Sequence, residues 1–153
     1  MFAMFRKAGW WVIAKIAICP FKATKVLHKA ASVFGSRYAI AFNSGTATLH
    51  AALEAVGVLP GDEVIIPPLS VVMSTTSVLH ANAIPVYADV ELDTYNLCPK
   101  DVESKITDKT KAIVVVSLYG LPANLPKLRE IANNYNIALI EDNAQCVLGT
   151  IDG

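Results

Sequence analysis

Two short polar clusters carry the residue types best suited to chemistry. The first, Asn43-Ser44-Gly45-Thr46-Ala47, follows the apolar run Tyr38-Ala39-Ile40-Ala41-Phe42 and precedes residues 51–56, which are strong helix formers. A strand, then Ser-Gly-Thr, then a helix presents bare backbone N–H groups to an anion. The first turn of a helix has donors without internal partners, and the macrodipole adds roughly +0.5 charge there. Gly45 has no Cβ to hold a phosphate off the backbone, and the Thr46 hydroxyl is a further donor. The plainer reading of Ser44 is an N-cap and nothing more. The second cluster, Glu141-Asp142-Asn143-Ala144-Gln145, ends another apolar run, Ile137-Ala138-Leu139-Ile140.

The elements that must position these clusters are legible in outline. Residues 22–34 read as a helix with Val26, Leu27, Ala30, Ala31 and Phe34 on one side, stopped by Gly35. Tyr38 to Phe42 reads as a buried strand. Leu59-Pro60-Gly61-Asp62 is a turn into the strand Glu63-Val64-Ile65-Ile66, which Pro67-Pro68 ends. Residues 71–82 hold no breaker and read as a helix. The strand at 84–90 carries Pro85 near its start, the mark of an edge or a strand end. Pro99 opens a short helix to 106. Residues 111–118 form a continuous apolar run, as in a strand covered on both faces. Residues 125–135 read as a helix with Leu128, Ile131 and Ala132 inward, before the strand at 137–142. Helices alternate with strands, so the expected fold is a three-layer α/β/α sandwich with a mostly parallel sheet. Ligands bind such sheets outside the carboxyl ends of the strands, where both polar clusters fall.

Bulk properties narrow the class. The chain has 153 residues, is 54% hydrophobic and 17% charged, and is more apolar than an average soluble domain. That fits a buried sheet, or part of a larger body. Residues 1–53 hold seven Lys/Arg and no acid, while residues 54–153 hold six Lys/Arg and thirteen Asp/Glu, giving +7 and −7. With no long like-charge block, attraction between a basic end and an acidic body is the ordinary reading, and no nucleic-acid partner is expected. Cys19, Cys98 and Cys146 are too scattered for a disulfide framework or a metal site, which points to a reducing compartment and a cytoplasmic location.

Residues 1–21 form a separate basic, apolar segment. Its core is shorter than the roughly 20 residues of a membrane span, and Lys15 interrupts any signal-peptide likeness. Phe2, Phe5, Trp10, Ile13 and Ile16 could share one helix face, which leaves a membrane-surface helix and packing against the protein both open. Pro20 is the expected end of this segment.

Several blocks, in order, resemble the DegT/DnrJ/StrS family of pyridoxal-phosphate-dependent sugar aminotransferases. They are Asn43-Ser44-Gly45-Thr46-Ala47, Pro60-Gly61-Asp62-Glu63-Val64-Ile65, Ile84-Pro85-Val86-Tyr87-Ala88-Asp89-Val90, Asp93-Thr94-Tyr95-Asn96, Thr110-Lys111-Ala112-Ile113, Leu118-Tyr119-Gly120 and Glu141-Asp142-Asn143-Ala144-Gln145. The resemblance implies a fold-type I large domain, truncated, over residues 22–153. It implies pyridoxal 5'-phosphate as cofactor, a nucleotide-linked keto sugar as substrate, an amino-acid donor such as glutamate, and a homodimer. By the same resemblance Gly45, Thr46 and Ala47 hold the cofactor phosphate. Asp142 pairs with the pyridine nitrogen and keeps the ring protonated, and Gln145 bonds its phenolic oxygen. Asp142 and Gln145 are three residues apart, so one turn of backbone could aim both at one ring.

Three departures qualify the resemblance. Val71 stands where an aromatic residue commonly stacks on the ring; an aliphatic side chain covers the ring but forgoes a stacking contribution of about 0.5–1.5 kcal/mol. Ser117 stands where a histidine often precedes Leu-Tyr-Gly, and a hydroxyl does not take up a proton near neutral pH. The family's Schiff-base lysine lies beyond the Asp-x-Ala-Gln motif, and no lysine here has its Ser-Phe context. No catalytic residue is therefore assigned, and the chain is expected to be an aminotransferase fragment, inactive alone. The alternatives are a fragment of a sugar dehydratase of the same family, or a non-catalytic interaction module.

Overall fold

Strand and helix alternate because the apolar runs switch between two periods, and each run has a polar or glycine-proline stop. The computed structural model describes the backbone of residues 2–7, 10–16 and 23–151 and the side chains of residues 25–151. In chain order the elements are β1 (Phe2–Lys7), β2 (Trp10–Ile16), α1 (Ala23–Val33), β3 (Tyr38–Phe42), α2 (Gly45–Ala55), β4 (Glu63–Ile66) and α3 (Met73–His80). There follow β5 (Ile84–Tyr87), α4 (Pro99–Ser104), β6 (Thr110–Val116), a 3-10 turn (Leu118–Gly120), α5 (Leu125–Asn134) and β7 (Ala138–Asp142).

The strands form one seven-stranded sheet in the order β3-β2-β1-β7-β6-β4-β5. β4 pairs in parallel with β5 and β6, β6 with β7, and β2 with β3. Only β1 runs the other way, antiparallel to both β2 and β7. Two antiparallel steps restore direction, so β3, β4, β6 and β7 all point their carboxyl ends to one rim.

Alternation along the central strands builds two cores. Val64 and Ile66 of β4, with Ala112 and Val114 of β6, pack with Leu49, Leu53 and Val78 from α2 and α3. Ile65, Ile113 and Val115 face the other way, onto Val102 of α4 and Leu128 and Ile131 of α5. A period of two on strands meets a period near 3.6 on helices, and the sheet is covered on both faces. β6 is buried throughout apart from Lys111, as its apolar run implies. Each fully buried Leu or Ile contributes about 1.5–3 kcal/mol relative to exposure.

One open alternative is resolved and one sequence expectation is corrected. The helical face left open for the first segment is not formed: Phe2–Lys7 and Trp10–Ile16 are two strands inserted between β7 and β3. Trp, Val and Ile favour the pleated strand, and the insertion pairs the backbone edges that β3 and β7 would otherwise leave open. The end of this segment at Pro20 lies outside the described residues. Nor is Tyr38–Phe42 buried: β3 is an edge strand, with Tyr38 53% and Ile40 49% exposed. Its apolar run resembled that of a central strand, and only the sheet order separates the two. β5 is the other edge, where Pro85 needs no donor. Among the described residues no helix is long and apolar enough to cross a membrane, and Cys98 and Cys146 are free thiols.

Candidate active site

The loops after β3, β4, β6 and β7 share the carboxyl rim of the sheet, so the topology brings both polar clusters to one side. At the first, Ser44 is extended (φ −151°, ψ 161°) and caps α2, its Oγ accepting from Ala47 N–H at 3.1 Å. Its carbonyl accepts both the N–H and the hydroxyl of Thr48, at 3.1 and 3.0 Å. The cap therefore engages the Ala47 donor. Gly45, buried, and Thr46, half-buried, are the first two helical residues, and their N–H groups have no intrahelical acceptor. α2 then crosses the sheet face in contact with β1, β2, β3 and β7.

The second cluster is built by long-range contacts. Asp142 closes β7 and is only 1% exposed. Burial pushes its carboxyl up to about 6, opposed by the Ala144 N–H that donates to Oδ1 at 3.1 Å. Glu141 precedes it on β7 and so faces the other side of the sheet. Burial raises Glu141 as well, against lowering bonds from Asn143 and Ser117. Ser117 is fully buried, donates to Glu141 Oε1 at 3.4 Å and accepts from Ala123 N–H at 3.2 Å. The Ser117 hydroxyl thus bridges Glu141 and a loop amide.

Gln145 is exposed, and its Oε1 accepts from Tyr119 N–H at 3.0 Å. With the carbonyl oxygen so engaged, Nε2 is the donor end of the amide. Tyr119 sits in the left-handed region (φ 55°, ψ 25°), and Gly120 follows at φ 83°. Val71 is 45% exposed and lines a shallow cavity of about 350 Å³ with Pro67, Pro68, Ser70, Thr75 and Tyr87. The structure groups Val71 with the β4–β5 end of the rim, and Asp142 and Gln145 with the β6–β7 end. A larger cavity, about 460 Å³, lies on the Glu141 side, lined by Phe34, Arg129, Asn143 and Thr150 among others.

Sequence reading named the two clusters, with Glu141 in one of them, and noted Ser117 and Asn96, but assigned none of these three a supporting role. Asn96, Ser117 and Glu141 are buried polar residues tied to the loops that carry the site. The signal available for Asn96 was a polar residue directly before the apolar Leu97, in a turn otherwise read as surface.

The rim thus carries a helix N-terminus with unpaired N–H groups, a buried carboxyl and an amide held by a backbone bond, the donor and acceptor types that a phosphorylated, protonated aromatic ring would take. Comparison with known proteins points the same way. Residues 22–153 match the model of the DegT/DnrJ/EryC1/StrS aminotransferase family. The L-glutamine:2-deoxy-scyllo-inosose aminotransferase of Streptomyces kanamyceticus is 53% identical over 103 residues, covering 67% of this chain and 24% of that protein. GDP-perosamine synthase of Caulobacter vibrioides is 44% identical over 119 residues, covering 78% of this chain and 32% of its own length. Among solved structures, NtdA from Bacillus subtilis with bound cofactor PMP superposes with a TM-score of 0.81 at 34% identity, covering 87% of this chain and 30% of that one. The chain thus spans about a quarter to a third of these relatives. Over most of its length, the chain belongs to the DegT/DnrJ/EryC1/StrS aminotransferase family.

Proposed function

We propose that the rim holds pyridoxal 5'-phosphate, in an enzyme that moves an amino group from an amino acid, glutamate or its amide, to a nucleotide-linked keto sugar. The observation that carries this reading is Asp142: a carboxyl 1% exposed, raised to about 6, at the carboxyl end of a parallel strand. A dry carboxylate is costly alone and favourable beside a cation. A protonated ring nitrogen is such a cation, and Asp142 in turn favours its protonated form.

The remaining roles follow from the donors on the rim. Gly45 and Thr46 offer N–H groups to the phosphate dianion, with the α2 dipole aligned to it. Ala47 shapes the same turn, its N–H held by Ser44. Gln145 directs Nε2 to the phenolic oxygen, and Val71 supplies apolar cover from the β4 loop. When bound, the cofactor supplies an electron sink for a carbanion at the amino-bearing carbon. No residue of this chain is assigned the proton transfer. The donor and acceptor classes rest on relatives whose names specify L-glutamine and, separately, a GDP-linked sugar. A homodimer in the cytoplasm belongs to the same reading.

Equilibrium binding of pyridoxal 5'-phosphate and of pyridoxal to the chain tests it. Loss of the phosphate is expected to weaken binding by more than tenfold, and Asp142→Ala to weaken the phosphorylated ligand about tenfold, as for one charge-assisted bond. Equal affinity for the two ligands would remove the phosphate role of α2.

A further inference from the structure

The turn that fixes Gln145 does not stand by itself. Its two central residues, Tyr119 and Gly120, are both left-handed, with φ 55° and 83°. A non-glycine residue pays a conformational penalty there and needs support from its surroundings. Leu121 N–H closes the turn onto Leu118 C=O at 2.9 Å. The remaining polar groups at its two ends, Leu118 N–H and Leu121 C=O, go to one side chain. Asn96 Oδ1 accepts from Leu118 N–H at 3.0 Å, and Asn96 Nδ2 donates to Leu121 C=O at 3.1 Å. Asn96 is 2% exposed, so water does not readily replace either bond.

Asn96 is itself held. Its N–H donates to Thr94 Oγ1 at 3.2 Å, and its carbonyl accepts from Glu91 N–H at 2.9 Å. Thr94 donates onward to Glu91 Oε2 at 3.0 Å. The Tyr95 and Tyr119 rings meet edge to face at 6.5 Å, a second link between the same two loops.

We propose that Asn96 is the positioning residue of the ring end: it clamps both ends of the Leu118–Gly120 turn, and the turn orients the Gln145 amide through Tyr119 N–H. The functional meaning of that orientation rests on the reading of Gln145 as donor to the phenolic oxygen. An amide is the side chain that suits the place, since it must accept and donate across one planar group. Asn96→Asp keeps the acceptor and sets a carboxylate oxygen against the Leu121 carbonyl. Asn96→Ala removes both bonds.

Gln145 is the single glutamine of the sequence. Glutamine side-chain ¹⁵N labelling therefore yields one Nε2 signal, read alongside hydrogen exchange at the Tyr119 amide. In the folded wild-type chain the Nε2 signal is expected away from free-amide values. Asn96→Ala is expected to move it to those values and to speed Tyr119 exchange roughly tenfold, equivalent to about 1.4 kcal/mol. Should Asn96→Ala fail to fold, Asn96→Asp decides, with an intermediate shift expected. An unchanged Gln145 signal and unchanged Tyr119 exchange in a folded Asn96 variant would overturn the proposal. Adding pyridoxal 5'-phosphate separates the two readings. A wild-type signal that moves with ligand supports the cofactor role of Gln145. A signal that responds to Asn96→Ala but not to ligand supports the clamp and overturns the cofactor role of Gln145.

Discussion

The two ends of the site are built in opposite ways. The end at Ser44, proposed above for the phosphate, is local: Ser44 caps Ala47 and receives Thr48, all within five residues. The end proposed for the ring is assembled from distant segments: side-chain hydrogen bonds tie Asn96, Ser117, Tyr119, Ala123, Glu141 and Gln145 across three loops and a strand end, and the Ser117 N–H donates to the Asp142 carbonyl. A local cap forms wherever its helix forms. A long-range cluster exists only if the sheet order is right, and it concentrates buried polar groups whose loss is expensive. The difference teaches where the site is fragile, and substitutions at the two ends should separate accordingly.

The largest contrast concerns charge. Asp142 is an acid whose folded pKa, about 6, lies above its ordinary 3.8. Its contribution to stability is full below about pH 4 and is lost as pH rises through 6, because the folded state binds the proton more tightly. Asp142→Asn removes that loss. Denaturant titrations at pH 4 and pH 7 are expected to show the variant gaining on wild type by roughly 2 kcal/mol over the interval. A pH-independent gap would mean that the carboxylate is not held out of water.

Ser117→Val comes next. It leaves the Ala123 N–H without its acceptor and removes one of the bonds to buried Glu141, for an expected loss of about 2 kcal/mol in urea unfolding. A loss below about 0.5 kcal/mol, the level of an ordinary surface substitution, would show that the ring end is not a coupled network.

The phosphate end should respond less. Ser44→Ala deletes the cap, with an expected cost of about 1 kcal/mol and faster exchange confined to the first turn of α2. Ser44→Gly, which keeps the backbone but not the Oγ, should cost only a few tenths of a kcal/mol, near the limit of the same measurement. If either Ser44 variant destabilised the chain as much as Ser117→Val, the local–distant contrast would fail.

Legibility followed the same division. β4 matched its sequence reading residue for residue, and α5 buried Leu128, Ile131 and Ala132 as its periodicity implied. Pro85 pointed to an edge or a strand end, and β5 is an edge strand. α3 was shorter than the breaker-free run 71–82, since Val71 and Val72 precede the first helical residue, Met73. The first segment stayed open in the sequence because aromatic and β-branched residues at irregular intervals satisfy a helical and a strand pattern alike. Pairing with β7 and β3 decides between them, and neither partner is near in sequence.

By itself the sequence determined the alternation of elements, the cap at Ser44, the two polar clusters and the family they resemble. These depend on propensity, periodicity and short spacing, all properties of neighbouring residues. Tertiary structure alone decided that β3 is an edge, that Phe2–Lys7 and Trp10–Ile16 enter the sheet, and that burial raises Asp142 to about 6. It also decided that Asn96 reaches Leu118 and Leu121, some two dozen residues away. Burial, sheet order and long-range hydrogen bonds are sums over the whole fold, and no window of the chain contains them.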